Sequence, residues 1–393
     1  MPTITKQTEV TALPLNEGEN NITATAYNQY AAESDQSNAV SYNHNTQLDY
    51  RLASSGDFYR VYGRGNNTLP GITIRGDIDG IPVKEISNGA FEDDATITSV
   101  YIPKSIKRID FNAFRNCINL TEITIEEDTT SSPQSNDFEL VIGSRAFSNT
   151  GIINMTIPNT VRKLPQYMFE DCQHLDTIYF SENSNLTTVD GMCFDNSTID
   201  YIELPEGVTL INAYAFRGSL LTSIELPSTL TTISLGAFQN CTKLITVIFA
   251  GGSASQLAKI DSQAFEACSS LVEFKIPASV KYIGTKAFKG CNSLTSQYGV
   301  TFENTKCWML AVDSVNPDDA TQHVQESEIN LFNNAATALV NTYVEYYWHR
   351  IAKLKAPTIS LNGKTLTITD TQGLAEMFNI YINGKKRVTL YPD

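Results

Sequence analysis

"ISLGAFQNCTKLITVIF", residues 233–249, places a cysteine, Cys241, three residues after a phenylalanine, Phe238. A thiol there is either chemistry or packing, and the rest of the chain decides, because the phrase keeps returning. Its Phe recurs as Phe91, Phe114, Phe147, Phe169, Phe194, Phe216, Phe238, Phe265 and Phe288. Ala precedes it in seven of the nine cases, Met168 and Cys193 being the exceptions. The steps are 23, 33, 22, 25, 22, 22, 27 and 23 residues. Recurrence at this spacing marks a solenoid, in which each turn of chain stacks on the one before. Cys117, Cys172, Cys241, Cys268 and Cys291 all stand three residues after their Phe. Catalytic residues do not repeat once per coil, whereas a free cysteine packs as a small buried hydrophobe. Their spacing also matches no zinc pattern such as CxxC. The thiols read as core, in a chain that folds without disulfides.

Each coil carries a strand phrase as well: "TSVYIP" (98–103), "TEITIE" (121–126), "DYIELP" (200–205), "TSIELP" (222–227) and "VEFKIP" (272–277). Apolar and polar residues alternate, as in a sheet wet on one face. Pro103, Pro158, Pro205, Pro227 and Pro277 close many of these strands, since proline cannot donate to a ladder. The longer steps hold polar or small inserts, "EEDTTSSPQSND" at 126–137 and "AGGSASQ" at 250–256, which read as loops on single coils. A period in the range of about 20–29 residues is that of leucine-rich repeats.

"GIPVKEISNGAF" (80–91), "LPSTLTTISLGAFQNCTKL" (226–244) and "IPASVKYIGTKAFKGCNSL" (276–294) carry a closer resemblance. They resemble the BspA-like leucine-rich repeats, over about residues 70–300. The resemblance implies a solenoid that serves as a binding surface or scaffold. Residues 300–350 resemble the stretch that follows such arrays, with Cys307 where a Gly often precedes the Trp. Read physically, 300–312 is a last strand over the open end of the array, which a solenoid requires. A helix is expected next. Asn316 offers a cap, Pro317 suits the first turn, and Leu331, Phe332, Ala335, Leu339, Tyr343, Tyr346, Tyr347 and Ile351 recur at helical spacing.

The ends read differently. Residues 357–393 show alternating strands with turn signals at Asn362-Gly363 and Asn383-Gly384, and resemble the first half of an immunoglobulin-like or fibronectin type III-like sandwich. Residues 3–42 resemble its last strands, with Tyr27 and "SNAVSY" carrying the similarity. The expected fold is therefore mainly β, about nine coils with a C-terminal helix. The expected domains are 1–45 and 356–393 as the two parts of the sandwich, 46–300 as the solenoid and 301–355 as cap strand and helix. The two parts meet within one chain, or join neighbouring chains head to tail through their terminal strands.

Net charge −15 argues against nucleic acid, whose phosphates need clustered Lys and Arg. No apolar run reaches the roughly 18 residues of a membrane span, so no membrane insertion is expected. The start "MPTITKQTEV" lacks a basic region followed by an apolar stretch, so no secretory signal is read there. His44, His174, His323 and His349 are scattered, and no phosphate-binding, zinc-protease or nucleophile-elbow motif occurs. "GDIDG" (76–80) lacks the rest of a calcium loop and reads as a hairpin turn. No enzyme activity, cofactor or metal is expected.

What remains is the outward face of the sheet. Its residues run Tyr101, Thr124, Thr156, Tyr179, Glu203, Glu225, Ile248 and Lys275, with Glu122, Tyr201 and Glu273 in the adjacent column. Tyr101, Tyr179, Tyr201, Glu203 and Glu225 are the candidate binding residues, because tyrosine offers contact area with a polar tip. The alternative is an ordinary solvated face. The expected partners are a protein or glycan on a host cell or mucus surface, or other virion proteins. The expected function is that of a bacteriophage virion component presenting the repeats for adhesion; the alternative is a secreted or surface-anchored bacterial adhesin of the BspA-like type.

Overall fold

Alternating strand phrases closed by proline and followed by a small residue before a large ring leave one economical solution, a three-sided coil. The computed structural model describes residues 48–128, 138–294 and 299–303, with short segments at 18–22, 40–44, 308–311, 323–324, 339–340, 345, 347–350, 358–362, 365–369, 378–382 and 385–390. A typical coil runs through a first strand of two to four residues, a second short strand and an arch built around the Phe, as in Ser99–Ile102, Arg108–Ile109 and the arch holding Phe114. About ten such turns stack into a β-solenoid, with almost no helix among the described residues beyond the 3-10 turn Gly252–Ala254 in one insert.

The strands of successive coils pair in parallel and in register. Thr124 lies opposite Tyr101, Thr156 opposite Tyr179, and Glu225 opposite Ile248. The second strands form another parallel row in two sections, from Ile81–Ile86 through Arg108–Ile109 to Val141–Ile142 and from Lys163–Leu164 to Tyr282–Ile283. Inward positions such as Val100, Ile102, Ile224 and Leu226 are buried and form one continuous core with the Phe column.

The arch is a third ladder, although it is no strand. The amide of each Phe donates to the carbonyl of the residue before the next Phe: Phe114 to Ala146, Phe169 to Cys193, Phe216 to Ala237 and Phe238 to Ala264. A small residue there lets the backbones approach, which explains the Ala-Phe pairing. The rings stack with centroids 5.0 Å apart at Phe194–Phe216 and 6.1 Å at Phe147–Phe169, within the range for offset stacking. Two left-handed residues bracket every ring. The second residue after Phe is Asp93, Asn116, Asn149, Asp171, Asn196, Gly218, Asn240, Ala267 or Gly290, all at positive φ. The second residue before it is Gly89, Asn112, Arg145, Tyr167, Met192, Tyr214, Gly236, Gln263 or Lys286, again all at positive φ.

The cysteines belong to this packing. Sγ of Cys117, Cys172, Cys241, Cys268 and Cys291 donates to the carbonyl of Phe91, Phe147, Phe216, Phe238 and Phe265 respectively, at 3.0–3.2 Å. All six described thiols are buried and free. Burial pushes Cys117 up to about 12 and Cys172 up to about 11, far from thiolate at neutral pH.

Antiparallel strands close the second row at both ends. Asp49–Leu52 pairs with Tyr59–Gly63 at the first coil, and Tyr347–Arg350 pairs with Tyr282–Ile283 at the last. Trp308–Ala311 lies outside Tyr347–Arg350, so the closing strand is drawn from further along the chain than the sequence pattern indicates. This corrects the helical reading at its end. The period puts Tyr347 on a helix face, but it sits in a strand, because the open edge of a parallel row needs a pairing partner. Most of the expected helix lies outside the described residues; Leu339 and Trp348 are buried in the core cluster. "GDIDG" forms the expected hairpin: Asp77–Ile78 pairs with Ile81–Ile86, and Asp79 and Gly80 take the positive φ that a tight two-residue turn requires.

The terminal sandwich is not supported. Gly18–Ile22 pairs with Val40–His44, Thr358–Asn362 with Thr365–Thr369, and Phe378–Ile382 with Lys385–Leu390. These are three separate antiparallel pairs, and among the described residues no N-terminal strand pairs with a C-terminal one. Tyr27 and Cys307, singled out above, lie outside the described residues.

Candidate functional site

The outward face of the first strand of each coil is where the sequence places its candidates. Strand alternation turns Tyr101, Thr124, Thr156, Tyr179, Glu203, Glu225, Ile248 and Lys275 to solvent, all of them exposed. One step beyond the paired Ile178 and Ile202, Tyr179 stands beside Glu203, and Glu203 bridges in parallel to Glu225. Tyr201 precedes Glu203 by two residues and shares its face.

Three of the five candidates converge. Tyr179, Tyr201 and Glu203 line a cleft of about 460 Å³, with Ser181, Asn183, Ser184, Pro205 and Glu206 completing its walls. Tyr179 is 54% exposed and Tyr201 49%, so both rings are open to contact. The Tyr201 hydroxyl donates to Oε2 of Glu203 at 3.4 Å, and burial together with the nearby Glu203 carboxylate pushes the phenol above its ordinary range. Glu225 extends the acidic row by one coil. Tyr101 does not join them. It lies three coils away, about 14 Å at ~4.8 Å per coil, and its hydroxyl donates to Glu126 at 3.0 Å.

Four polar lining residues escaped the sequence reading: Ser181, Asn183, Ser184 and Glu206. The signal was present. Where many other coils end their strand with proline, this one continues "SENSN" (181–185), and the step from Phe169 to Phe194 is 25 residues where its neighbours take 22. The extra polar residues wall one side of the cleft. Glu206 is held across the coil boundary, its carboxylate accepting the Ser228 amide and hydroxyl, each at 2.9 Å, and that backbone hydrogen bond keeps it below the usual carboxylate range.

Among the described residues no group of three or more His, Cys, Asp or Glu could hold a metal, and no helix is long and apolar enough to cross a membrane. The repeat itself decides the family. The pattern described as BspA type Leucine rich repeat region matches six copies, with spans at 84–219, 140–254 and 187–306. This chain belongs to the BspA type leucine-rich repeat family. No curated protein matches it. Among solved structures this BspA type chain is similar to the T. pallidum leucine rich repeat protein TpLRR, at 20% identity and TM-score 0.39, over 63% of this chain and 87% of that one. It is also similar to a leucine rich cell surface protein from Faecalibacterium prausnitzii, at 20% identity and TM-score 0.33, over 67% and 95%. The pneumococcal vaccine antigen PcpA is similar at 19% identity and TM-score 0.35, over 66% and 81%.

Proposed function

We propose that this BspA type protein is a non-enzymatic binding protein of a bacterial surface, and that its outward sheet face, centred on the cleft of Tyr179, Tyr201 and Glu203, holds a macromolecular ligand. One observation carries this reading: two half-exposed aromatic rings beside carboxylates line a cleft of about 460 Å³ in which neither ring is used to hold the coils together. Exposed aromatics clustered in a concavity are typical of recognition surfaces. Proteins of this family are typically at the surface or extracellular, which supports the bacterial adhesin over the bacteriophage particle.

The test is retention of the labelled chain on host cells and on mucin-coated surfaces. Tyr179→Ala/Tyr201→Ala is expected to lower retention by about tenfold or more, as loss of buried aromatic anchors does, while Tyr101→Ala leaves it unchanged. Equal retention by the double variant overturns the reading. Antibodies raised against the chain should label intact cells of its source; labelling of phage particles instead would restore the virion reading. Head-to-tail association through the terminal strand pairs, which have no further strand partner among the described residues, belongs to the same proposal. Molar mass that stays constant over a wide dilution range removes it.

A further inference from the structure

Glu203 and Glu225 stand side by side on adjacent strands, a like-charge pairing that costs stability. Neither carboxylate has an ion-pair partner among the described residues; the nearest polar company is the Tyr201 hydroxyl. Glu206, fixed by Ser228, adds a third negative charge to the cleft wall. Ser181 lines the same cleft, and its buried hydroxyl oxygen has no hydrogen-bond partner among the described residues.

The molecule itself shows what completes such a group. On the arch face, the Arg145 guanidinium lies 3.8 Å from the centre of the Tyr167 ring while its Nε meets Glu170 at 3.2 Å. Arg217 lies 5.1 Å from the Tyr214 ring and donates to Asp195 at 2.8 Å. Elsewhere Arg51 lies 4.4 Å from the Tyr62 ring and pairs with Asp49, and Lys259 lies 5.2 Å from the Tyr282 ring and pairs with Asp261. Tyrosine and carboxylate together are thus occupied by arginine three times and by lysine once. In the cleft the tyrosines and carboxylates are present and the arginine is not.

We infer that the cleft is a guanidinium site, taking an arginine side chain presented by a partner protein. The inference rests on the binding reading above and names its chemistry. A planar guanidinium stacks on a tyrosine ring while its N–H fork meets carboxylates, a combination that the compact ammonium of lysine matches less well. It also relieves the Glu203–Glu225 repulsion.

The probe is a fluorescent peptide of alternating Arg and Gly, compared by anisotropy with the same peptide carrying citrulline, which keeps the shape and removes the charge. Arginine peptide should bind, and citrulline peptide about tenfold or more weaker, as expected for loss of a charge-assisted pair. Glu203→Gln/Glu225→Gln should weaken the arginine peptide by a similar factor, and Tyr179→Leu/Tyr201→Leu by about fivefold, the scale of a cation–π contact. Glu122→Gln/Glu273→Gln removes the same charge elsewhere on the face and should change binding less than about twofold. Thermal melting guards against misreading: the Glu203→Gln/Glu225→Gln protein should melt no lower than the parent. Equal binding of the citrulline peptide, or equal loss in the Glu122/Glu273 variant, overturns the inference. If arginine peptide fails to bind while Tyr179→Ala/Tyr201→Ala still abolishes retention on cells, the guanidinium site is wrong and the binding face stands. If the peptide behaves as expected and retention is unaffected, the binding-face reading falls instead.

Discussion

Asn196 donates its side-chain amide to Oδ1 of Asp171 at 2.6 Å, and both residues hold left-handed backbone two positions after their Phe. Asn149 donates likewise to Asn116, and Asn116 to Asp93. Short polar side chains tolerate this conformation best after glycine, and here they also bind coil to coil. Asn196→Ala should therefore cost about 1–2 kcal/mol, combining a left-handed penalty with a lost hydrogen bond. Asn196→Gly loses only the hydrogen bond and should cost less, as urea unfolding would measure. Equal losses would mean that the backbone strain is immaterial.

Ala267 takes the same position, at φ 61, with neither amide, carboxylate nor glycine to ease it. Ala267→Gly should raise stability by up to about 1 kcal/mol, seen as a higher melting temperature. An unchanged or lower value would show that the arch already absorbs the strain.

Phe216 stacks between Phe194 and Phe238, at 5.0 and 5.2 Å, and is fully buried. Phe216→Ala should cost about 3–5 kcal/mol. Because each coil touches only its neighbours, hydrogen exchange should rise first in the arches of Phe194 and Phe238. Uniform loss of protection along the array would contradict that locality.

Burial holds the Cys117 thiol near 12 and raises Cys193 and Cys268 well above their ordinary value. A group near 12 is thiolate in only about one molecule in ten thousand at pH 8. In a Cys307→Ser background, the native protein should thus give no rapid reaction with a disulfide reagent, and all six thiols should react in denaturant. Fast labelling of the native chain would place one of them at the surface.

Glu206 and Glu303 are both held below the usual carboxylate range, Glu206 by the Ser228 amide and Glu303 by Lys275. A carboxyl depressed in the folded state stabilises it above its unfolded value and loses that contribution as pH falls through the folded value. The intact chain should therefore lose stability on acidification below about pH 4.3, the ordinary glutamate value. Glu206→Gln should show a shallower decline in melting temperature over that range. An identical slope would mean that the Ser228 contact carries no such coupling.

The fold was largely legible because its spacing device is chemical as well as periodic. Phe must fill the coil and Ala must yield to the neighbouring backbone. Neither left-handed position beside Phe was read from the sequence. The one after it carries a signal, being Asn, Asp or Gly in every coil but that of Ala267; the one before it carries little, since Arg145, Tyr167, Met192 and Lys286 have no preference for it and the three ladders impose it. Tyr347 misleads because aromatics spaced along 343–351 fit a helix by period, and only the edge at Tyr282–Ile283 draws Tyr347–Arg350 into a strand. The outward row was legible from alternation, whereas the cleft was not, because its wall depends on how 181–185 leave the strand.

Backbone ladders, inward aliphatics and the ring column hold the coils without recruiting Thr124, Thr156, Tyr179 or Ile248. Exchange of such solvent-facing residues typically alters stability by no more than about 0.5 kcal/mol. The outward row is therefore free to be rewritten one coil at a time, as type can be reset in a fixed frame. Two chains with the same Phe spacing need share no ligand, and specificity in such a molecule evolves by repainting rather than by rebuilding.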